Sequence, residues 1–175
     1  MIYTSGTTGR PKGIERVPLP PGRVAEQMRG VARMWGYGPD DVHLVCGPLY
    51  HTAPGSQGQM HLGLGATLVI MPRFDAESCL ALIERHRVTN AMMVPAMFFR
   101  LLALPEERRR RYDLSSLRKI LHAAAPCPID VKRRILSFFP PGVVWEFYGA
   151  TEGGGTWISP EEWLGRPRSV GRPPP

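Results

Sequence analysis

The sequence predicts an α/β fold, a mainly parallel β-sheet with helices covering its faces. Short β-branched or apolar runs alternate with amphipathic segments along the 175 residues, and strands that alternate with helices are typical of β-α-β units. Apolar residues make up 43% and charged residues 21% of the chain, which is ordinary globular composition and excludes a disordered protein. The length suits one domain.

The predicted strands are short and most are bounded by Gly, Pro or Asp, and they cover residues 41–46, 66–71, 88–94, 117–123 and 143–148. Helices follow where the chain carries start signals. Asp75 caps one helix, Pro95 and Pro128 each open one, and Ser159-Pro160-Glu161-Glu162 is a capping box. A Gly/Pro loop is expected at 47–55. In such sheets ligands bind at the carboxyl ends of the strands, so the loops that follow the strands are the candidate site.

Cysteine and hydropathy patterns exclude several classes of protein. Three cysteines lie far apart with no C-x-x-C spacing, so neither a disulfide framework nor a zinc site is supported, and we expect a reduced, cytoplasmic protein. The N-terminus has no signal-peptide pattern. The longest stretch without a charged residue, 42–72, is interrupted by proline, histidine, glutamine and glycine, so we expect no transmembrane segment.

The net charge of +7 and the run Arg108-Arg109-Arg110-Arg111 raise the question of nucleic-acid binding. The run follows Glu106-Glu107, an order typical of a short solvated helix because acidic residues favour a helix start. Aromatic residues are not interleaved with these arginines, as a stacking platform would require. We therefore expect no nucleic-acid partner.

Residues 3–13 form the most informative segment. Hydroxyls at Thr4, Ser5, Thr7 and Thr8 interleave with Gly6, Gly9 and Gly13, and Lys12 follows. Glycines let successive backbone N–H groups surround an anion, and a lysine supplies a point charge suited to phosphate. The spacing is not that of a Walker A loop. The alternative is a solvated linker of similar composition.

A second candidate lies where the strand 143–148 ends. Tyr148 and Gly149 offer a flat surface for a purine, and Thr151 offers a hydroxyl to a phosphate oxygen. Glu152 is a suitable ligand for Mg²⁺, which takes one or two carboxylates together with substrate phosphates. The alternative is an ordinary turn with an exposed glutamate.

His51 lies in the loop after the first predicted strand, where site residues are common. Near neutral pH it could contact a substrate carboxylate or a proton in transfer. The alternative is a hydrogen-bonded core histidine. His43, His61, His86 and His122 have no partner pattern and are assigned no role.

These motifs together resemble those of the adenylate-forming (AMP-binding) superfamily, which includes acyl-CoA synthetases, luciferases and peptide-synthetase adenylation domains. The matching segments are 3–13, Pro48-Leu49-Tyr50-His51-Thr52, Ala123-Ala124-Ala125-Pro126, Tyr148-Gly149-Ala150-Thr151-Glu152 and Ser169-Val170-Gly171-Arg172-Pro173.

The resemblance implies a role for each matching residue. Thr4, Ser5, Gly6, Thr7, Thr8, Gly9 and Lys12 would form the phosphate loop, which holds the β- and γ-phosphates of ATP. Ala124, Ala125, Pro126, Tyr148 and Gly149 would border adenine. Thr151 would contact the α-phosphate, and Glu152 would hold Mg²⁺. His51 would lie near the carboxylate, with the alternative that it only gates the acyl tunnel. His51, Lys12, Thr151 and Glu152 are the implied catalytic residues.

The implied reaction is a ligation. A carboxylic acid attacks ATP to give an acyl-adenylate and pyrophosphate, and CoA then forms the thioester. The local sequence resembles that of fatty-acyl- and bile-acid-CoA ligases, and this resemblance implies fatty-acid metabolism and a bulky apolar acid. By the same analogy 55–63 and 92–98 would line the acid pocket, and the alternative for their methionines is core packing.

The resemblance covers only part of a family member. We expect residues 1–175 to be a partial AMP-binding domain, a fragment of the large N-terminal domain, without the N-terminal subdomain, the ribose-binding Asp or the C-terminal lid with its Lys. Alone, the chain should bind nucleotide weakly and show negligible turnover. The alternatives are a non-catalytic nucleotide-binding remnant, a luciferase-like enzyme, or an adenylation domain that passes the acyl group to a carrier protein.

Overall fold

The computed structural model describes residues 2–4, 12–15, 20–150 and 154–173. The strands are β1 Ile2–Thr4, β2 Lys12–Ile14, β3 Val42–Val45, β4 Thr67–Ile70, β5 Asn90–Met93, β6 Lys119–His122, β7 Val144–Gly149 and β8 Gly155–Ile158. The helices are α1 Pro21–Trp35, α2 Thr52–Gly63, α3 Ala76–His86, α4 Pro95–Ala103, α5 Glu106–Arg109, α6 Ile129–Phe138 and α7 Pro160–Gly165.

The main sheet has six strands in the order β4-β3-β5-β6-β7-β8, and β1 pairs with β2 in a separate two-stranded sheet. In this sheet β3, β4, β5, β6 and β7 all run parallel to one another, and β8 runs antiparallel beside β7. The predicted mainly parallel α/β sheet is confirmed. The chain reverses its direction across the sheet at β3, which lies between β4 and β5.

Helices cover both faces of the sheet because side chains alternate between faces along each strand. On one face α3, α4 and α6 pack on the strands, and their buried side chains include Leu80, Phe98 and Ile135. On the other face His61 of α2 stacks on His43 of β3. The end of α1 lies on this second face as well, where Trp35 packs edge-on against Trp145.

The predicted start signals act as expected. The Asp75 carboxylate accepts the Ser78 N–H at 2.8 Å at the start of α3. The Ser159 and Glu162 side chains exchange both capping-box hydrogen bonds at the start of α7. Each satisfies helix N–H groups that have no intrahelical partner.

The expected loop at 47–55 is partly wrong because α2 begins at Thr52. Pro54 lies in the first helical turn, where a missing N–H removes no intrahelical hydrogen bond, so this proline permits the helix. The helix α1 and the strand β8 were not predicted from the sequence.

The arginine run begins within the short helix α5, as its acidic start indicated. Arg110 pairs with Glu106 at 2.6 Å and Arg111 pairs with Glu107 at 2.7 Å, so two of these side chains are neutralised locally. All three cysteines are described, and all are free thiols. Among the described helices none has both the length and the apolar character needed to cross a bilayer.

Candidate active site

The carboxyl ends of four parallel strands form one edge of the sheet. The register pairs Val45 of β3 with Met92 of β5, and Met93 of β5 with His122 of β6. His122 is in turn level with Glu146 of β7. The loops that leave β3, β5, β6 and β7 therefore emerge side by side. Adjacent strands lie about 4.8 Å apart, so the first and last of these loops are separated by three strand spacings, roughly 14 Å.

The turn after β6 carries the predicted adenine-bordering residues. Ala124, Ala125 and Pro126 are all exposed at the sheet edge. Ala124 adopts a left-handed conformation with φ 75°, which costs a residue with a β-carbon about 1–2 kcal/mol. Such a conformation persists only where its surroundings hold it. The preceding Ala123 is buried, and its N–H bonds to the Met93 carbonyl at 3.3 Å.

The next loop along the edge is the connection between β7 and β8. Tyr148 is 64% exposed although it lies within a strand. A Cβ on Gly149 would lie 2.6 Å from the Phe147 ring, and a Cβ on Gly155 would meet the same ring at 2.6 Å. A side chain at either position would therefore have to displace the Phe147 ring. Phe147 covers one face of this hairpin, and the Tyr148 side chain is exposed on the opposite face.

His51 is exposed and occupies the N-cap position of α2. Its imidazole makes no capping hydrogen bond, and its ring centroid lies 4.5 Å from that of Tyr50. The core alternative is therefore wrong, because a core histidine would be buried. His51 follows β3, the strand at which the sheet order reverses, and ligands of open α/β sheets bind at such points.

One of the two segments expected to line an acid pocket lies near the loop that follows β3. A Cβ placed on Gly47 would lie 4.0 Å from Met97 of α4, which belongs to the segment 92–98, and 3.0 Å from Pro54 of α2, which directly precedes the segment 55–63. Within the second segment Met93 and Phe98 are fully buried in the main core, so core packing is the correct interpretation for these two residues.

Other predicted site residues lie outside the described part of the chain. They are Ser5, Gly6, Thr7, Thr8 and Gly9 of the phosphate loop, together with Thr151 and Glu152. Thr4 and Lys12 pair with each other across β1 and β2, at the two ends of that loop. The roles of all these residues stay predictions. Among the described residues no group of three His, Cys, Asp or Glu side chains could hold a metal.

A buried ionic cluster, which sequence reasoning missed, lies directly behind the adenine-bordering residues. Lys132 of α6 is completely buried and donates to the Glu146 carboxylate at 2.9 Å. It also donates to Nε2 of His122, whose Nε2 is 3.5 Å from the same carboxylate. We call Lys132, His122 and Glu146 the buried triad. One signal was available in the sequence, because Lys132 shares the apolar face of its helix with Ile135 three positions on.

Burial controls the charges of the triad. It lowers the pKa of Lys132, and the hydrogen bond that Lys132 donates to Glu146 opposes that effect. Burial and the nearby Lys132 ammonium lower the pKa of His122 to about 3. His122 is therefore neutral at neutral pH and accepts a hydrogen bond from Lys132 at Nε2, which places its own hydrogen on Nδ1.

A second polar cluster, also missed, lies on the other face of the sheet. His43 bonds to Asn90 and stacks on His61 with ring centroids 4.1 Å apart. The Thr89 hydroxyl donates to the Asp41 carboxylate at 2.6 Å and thereby extends this network. Burial, with His61 nearby, lowers the pKa of His43 to about 4. This cluster is structural, because it lies beneath α2 and faces no loop of the carboxyl edge.

The family follows from comparison with known proteins. The family model described as AMP-binding enzyme matches residues 1–175. The chain belongs to this family. The resemblance noted in the motifs is thereby confirmed for the whole sequence.

Similar proteins support the same conclusion. A 4-coumarate–CoA ligase from Oryza sativa is 36% identical over 154 residues, which are 87% of this chain and 27% of the relative. The structure of an o-succinylbenzoate coenzyme A synthetase from Bacillus subtilis, solved with ATP and a magnesium ion, is similar with a TM-score of 0.78 and 31% identity. The match covers 98% of this chain and 34% of the synthetase. An amide bond synthetase from Marinactinospora thermotolerans, 29% identical, has a TM-score of 0.80 and covers the same fractions. The chain therefore spans between a quarter and a third of the length of these proteins.

Proposed function

We propose that this chain forms part of an acid–thiol ligase that activates a carboxylic acid with ATP and transfers the acyl group to CoA. The observation that carries the proposal is the match of the whole chain to the AMP-binding enzyme family. The names of relatives support the thiol acceptor, since they are CoA ligases for 4-coumarate and for o-succinylbenzoate. These names do not favour a non-catalytic remnant.

The adenine end of ATP would lie between the loops after β6 and β7. Ala124, Ala125 and Pro126 present only small or rigid side chains, and Tyr148 presents an exposed ring on the neighbouring strand. Two strand ends about 4.8 Å apart, with an aromatic face and no bulky side chain opposite it, suit a flat purine. Gly149 completes this border.

The phosphates would be held by the loop between β1 and β2, with Thr4, Ser5, Gly6, Thr7, Thr8, Gly9 and Lys12 as donors or close backbone. The hydroxyl of Thr151 would bond to the α-phosphate. Glu152 would hold Mg²⁺, and the bound ion would neutralise part of the negative charge of the phosphates. Support comes from the donor types, since hydroxyls and a lysine suit phosphate and a carboxylate suits Mg²⁺.

The chain's contribution to the first step is binding and orientation. The carboxylate oxygen attacks the α-phosphorus, the bond between the α-phosphorus and the bridging oxygen breaks, and pyrophosphate leaves. Little covalent chemistry falls to the protein in phosphoryl transfer, so placing two reactants in line is the main effect. His51 would face the carboxylate from the reversal point of the sheet, roughly 14 Å from the adenine end by strand spacing.

The acid is proposed to be bulky and apolar, a fatty acid or an acid with a rigid carbon skeleton. The apolar side chains of Pro54 and Met97, which both lie close to Gly47, support an apolar pocket wall in this region. The structural relative that is an amide bond synthetase shows that acceptors differ among similar proteins. A carrier-protein thiol is the second acceptor to test.

We place the protein in the cytoplasm. Its three free thiols are compatible with that reducing compartment.

The test has two stages. First, calorimetry should detect binding of MgATP to the chain, weakened at least tenfold when Glu152 is changed to Gln, whereas AMP without magnesium should bind both proteins equally. Second, pyrophosphate release is measured with ATP, CoA and a panel of fatty, hydroxycinnamic and benzoic acids. We expect negligible release from the 175-residue chain and acid-dependent release from the same chain joined to the remaining segments of a family member. No MgATP binding would contradict the proposal, and binding without release in the joined enzyme would favour the remnant.

A further inference from the structure

The buried triad has no part in the function proposed so far, although it lies next to the adenine border. Lys132 is 0% exposed, and removing an ammonium from water costs several kcal/mol unless its partners compensate. The Lys132 ammonium meets the Glu146 carboxylate, the His122 imidazole, and the Trp163 ring with a centroid 5.3 Å away.

The positions of the three residues in the chain are informative. His122 is the last residue of β6 and directly precedes the turn that contains Ala124. Lys132 lies in the first part of α6, directly after the same turn. The contact between Lys132 and His122 therefore fastens the two ends of this turn together.

Glu146 joins the turn to the opposite wall of the proposed adenine pocket. It lies in β7 two residues before Tyr148, on the same face of the strand. The register pairs it with His122. One ammonium thus holds the start of the turn, the end of the turn and the strand that carries Tyr148 at fixed relative positions.

The turn needs such support because its conformation is unfavourable by itself. Ala124 has φ 75°, and its side chain is exposed and gains nothing from core packing. The hydrogen bond from Ala123 to the strand β5 is long at 3.3 Å. The triad adds buried polar contacts at both ends of this turn, through His122 on one side and Lys132 on the other.

We propose that Lys132 is a positioning residue for nucleotide binding, which sets the Ala124–Pro126 turn against Tyr148 through His122 and Glu146. The inference rests on the proposed function, since it assumes that adenine lies between these two walls. It predicts that the triad affects the recognition of adenine and leaves the recognition of phosphate unchanged.

The experiment uses the double variant Lys132→Met/Glu146→Gln in the full chain. Removing both charges avoids an uncompensated buried carboxylate, so this variant should fold. We expect its affinity for MgATP to fall about tenfold, in line with the sensitivity of bound ligands to small displacements. Its affinity for inorganic tripolyphosphate, which has no adenine, should stay within about twofold of the original protein.

A matched control is Lys119→Met. Lys119 is a second lysine with reduced exposure, on the same sheet but on the other face and at the amino end of β6, and it donates to the Trp35 carbonyl at 3.0 Å. The same chemical change there should leave MgATP binding unchanged. If both variants weaken MgATP equally, the effect is general destabilisation and the inference is wrong.

The remaining outcomes are also decisive. Amide hydrogen exchange should accelerate at residues 123–127 of the double variant and stay unchanged in α3, whereas a purely structural role would accelerate both. Should the double variant not fold, Glu146→Asp, which keeps the charge and withdraws it by one methylene, should weaken MgATP more than tripolyphosphate. Unchanged MgATP affinity in a folded variant overturns the inference alone, and absence of MgATP binding by the original chain overturns the proposed function together with it.

Discussion

Lys132 and Lys119 lie on opposite faces of the same sheet, and different partners stabilise their ammonium groups. Lys132 is completely buried and depends on the Glu146 carboxylate at 2.9 Å. Lys119 is only partly buried and has no carboxylate partner among the described side chains. Its ammonium bonds to the Trp35 carbonyl and lies 4.6 Å from the centroid of the Trp145 ring. Burial lowers the pKa of both lysines.

The difference shows how the depth of burial decides what a lysine requires. An ammonium that keeps some contact with water needs only weak partners such as a carbonyl dipole and an aromatic face. An ammonium removed from water entirely needs an opposite charge with good geometry. The first arrangement covers an aromatic surface, and the second connects three elements at the proposed adenine site.

The largest expected effect is on stability when the buried charge loses its partner. Lys132→Met leaves Glu146 buried without a counter-ion, so we expect the free energy of unfolding to fall by about 3–5 kcal/mol. Urea denaturation followed by circular dichroism measures the change. Adding Glu146→Gln should restore most of the loss. A single variant as stable as the original protein would contradict the description of Lys132 as dependent on this pair.

Acid should destabilise the protein through the buried histidines. The pKa of His122 is lowered to about 3 and that of His43 to about 4, so the unfolded chain binds more protons and stability falls as pH drops below 6.5 towards these values. His122 faces Lys132 and Glu146, and His43 faces His61 and Asp41, so both faces of the sheet contribute.

The pH effect is measured by urea denaturation at pH 7, 6 and 5. We expect a loss of about 4 kcal/mol across this interval, given about 1.4 kcal/mol for each pH unit below 6.5 and for each of the two histidines that stay neutral in the folded state. His43→Asn should flatten the dependence, and the exposed His86→Asn should not. Equal slopes for the two variants would show that His43 does not contribute to the loss.

A smaller effect is expected at the partly buried lysine. Lys119→Met removes one hydrogen bond to a carbonyl and the contact with two tryptophan rings, and we expect a loss of about 1–2 kcal/mol. Unlike Lys132→Met, this loss should not be reversed by a second substitution at any carboxylate. Urea denaturation of Lys119→Met alone and combined with Glu146→Gln tests this difference, and recovery in the combined variant would mean that the two lysines act alike.

The smallest effect is expected for an ion pair at the surface. Arg110 and Glu106 are 2.6 Å apart, but the Arg110 side chain is 75% exposed. Water and salt screen such pairs, so Arg110→Gln should leave the denaturation midpoint unchanged within experimental error at 0.15 M salt. A clear shift would indicate that short distance matters more than burial, against the comparison of the two lysines.

Much of the fold was predictable because its signals are local. Predicted strands 117–123 and 143–148 overlap β6 and β7, and the caps at Asp75 and Ser159 begin helices as expected. Misses arose where the local signal was weak or misleading. Pro54 and its neighbouring glycines suggested a loop, yet a proline in the first turn is compatible with the helix α2.

The candidate site was predictable to the extent that its residues follow strands. Ala124, Tyr148 and His51 all lie at the carboxyl edge that the alternation of strands and helices indicated. The buried triad was not, because Lys132 is 10 residues from His122 and 14 from Glu146, and no short motif joins them. The sequence marks Lys132 only as a lysine on an apolar helix face.

By itself the sequence determined the α/β class, the positions of most strands and helix starts, and the motifs of an AMP-binding enzyme, since all of these depend on neighbouring residues. Only the tertiary structure decided which charges are buried and which strands bring them together. The physical reason is that desolvation and ion pairing depend on distances in space, and the pairing of parallel strands makes neighbours of residues that the chain keeps apart.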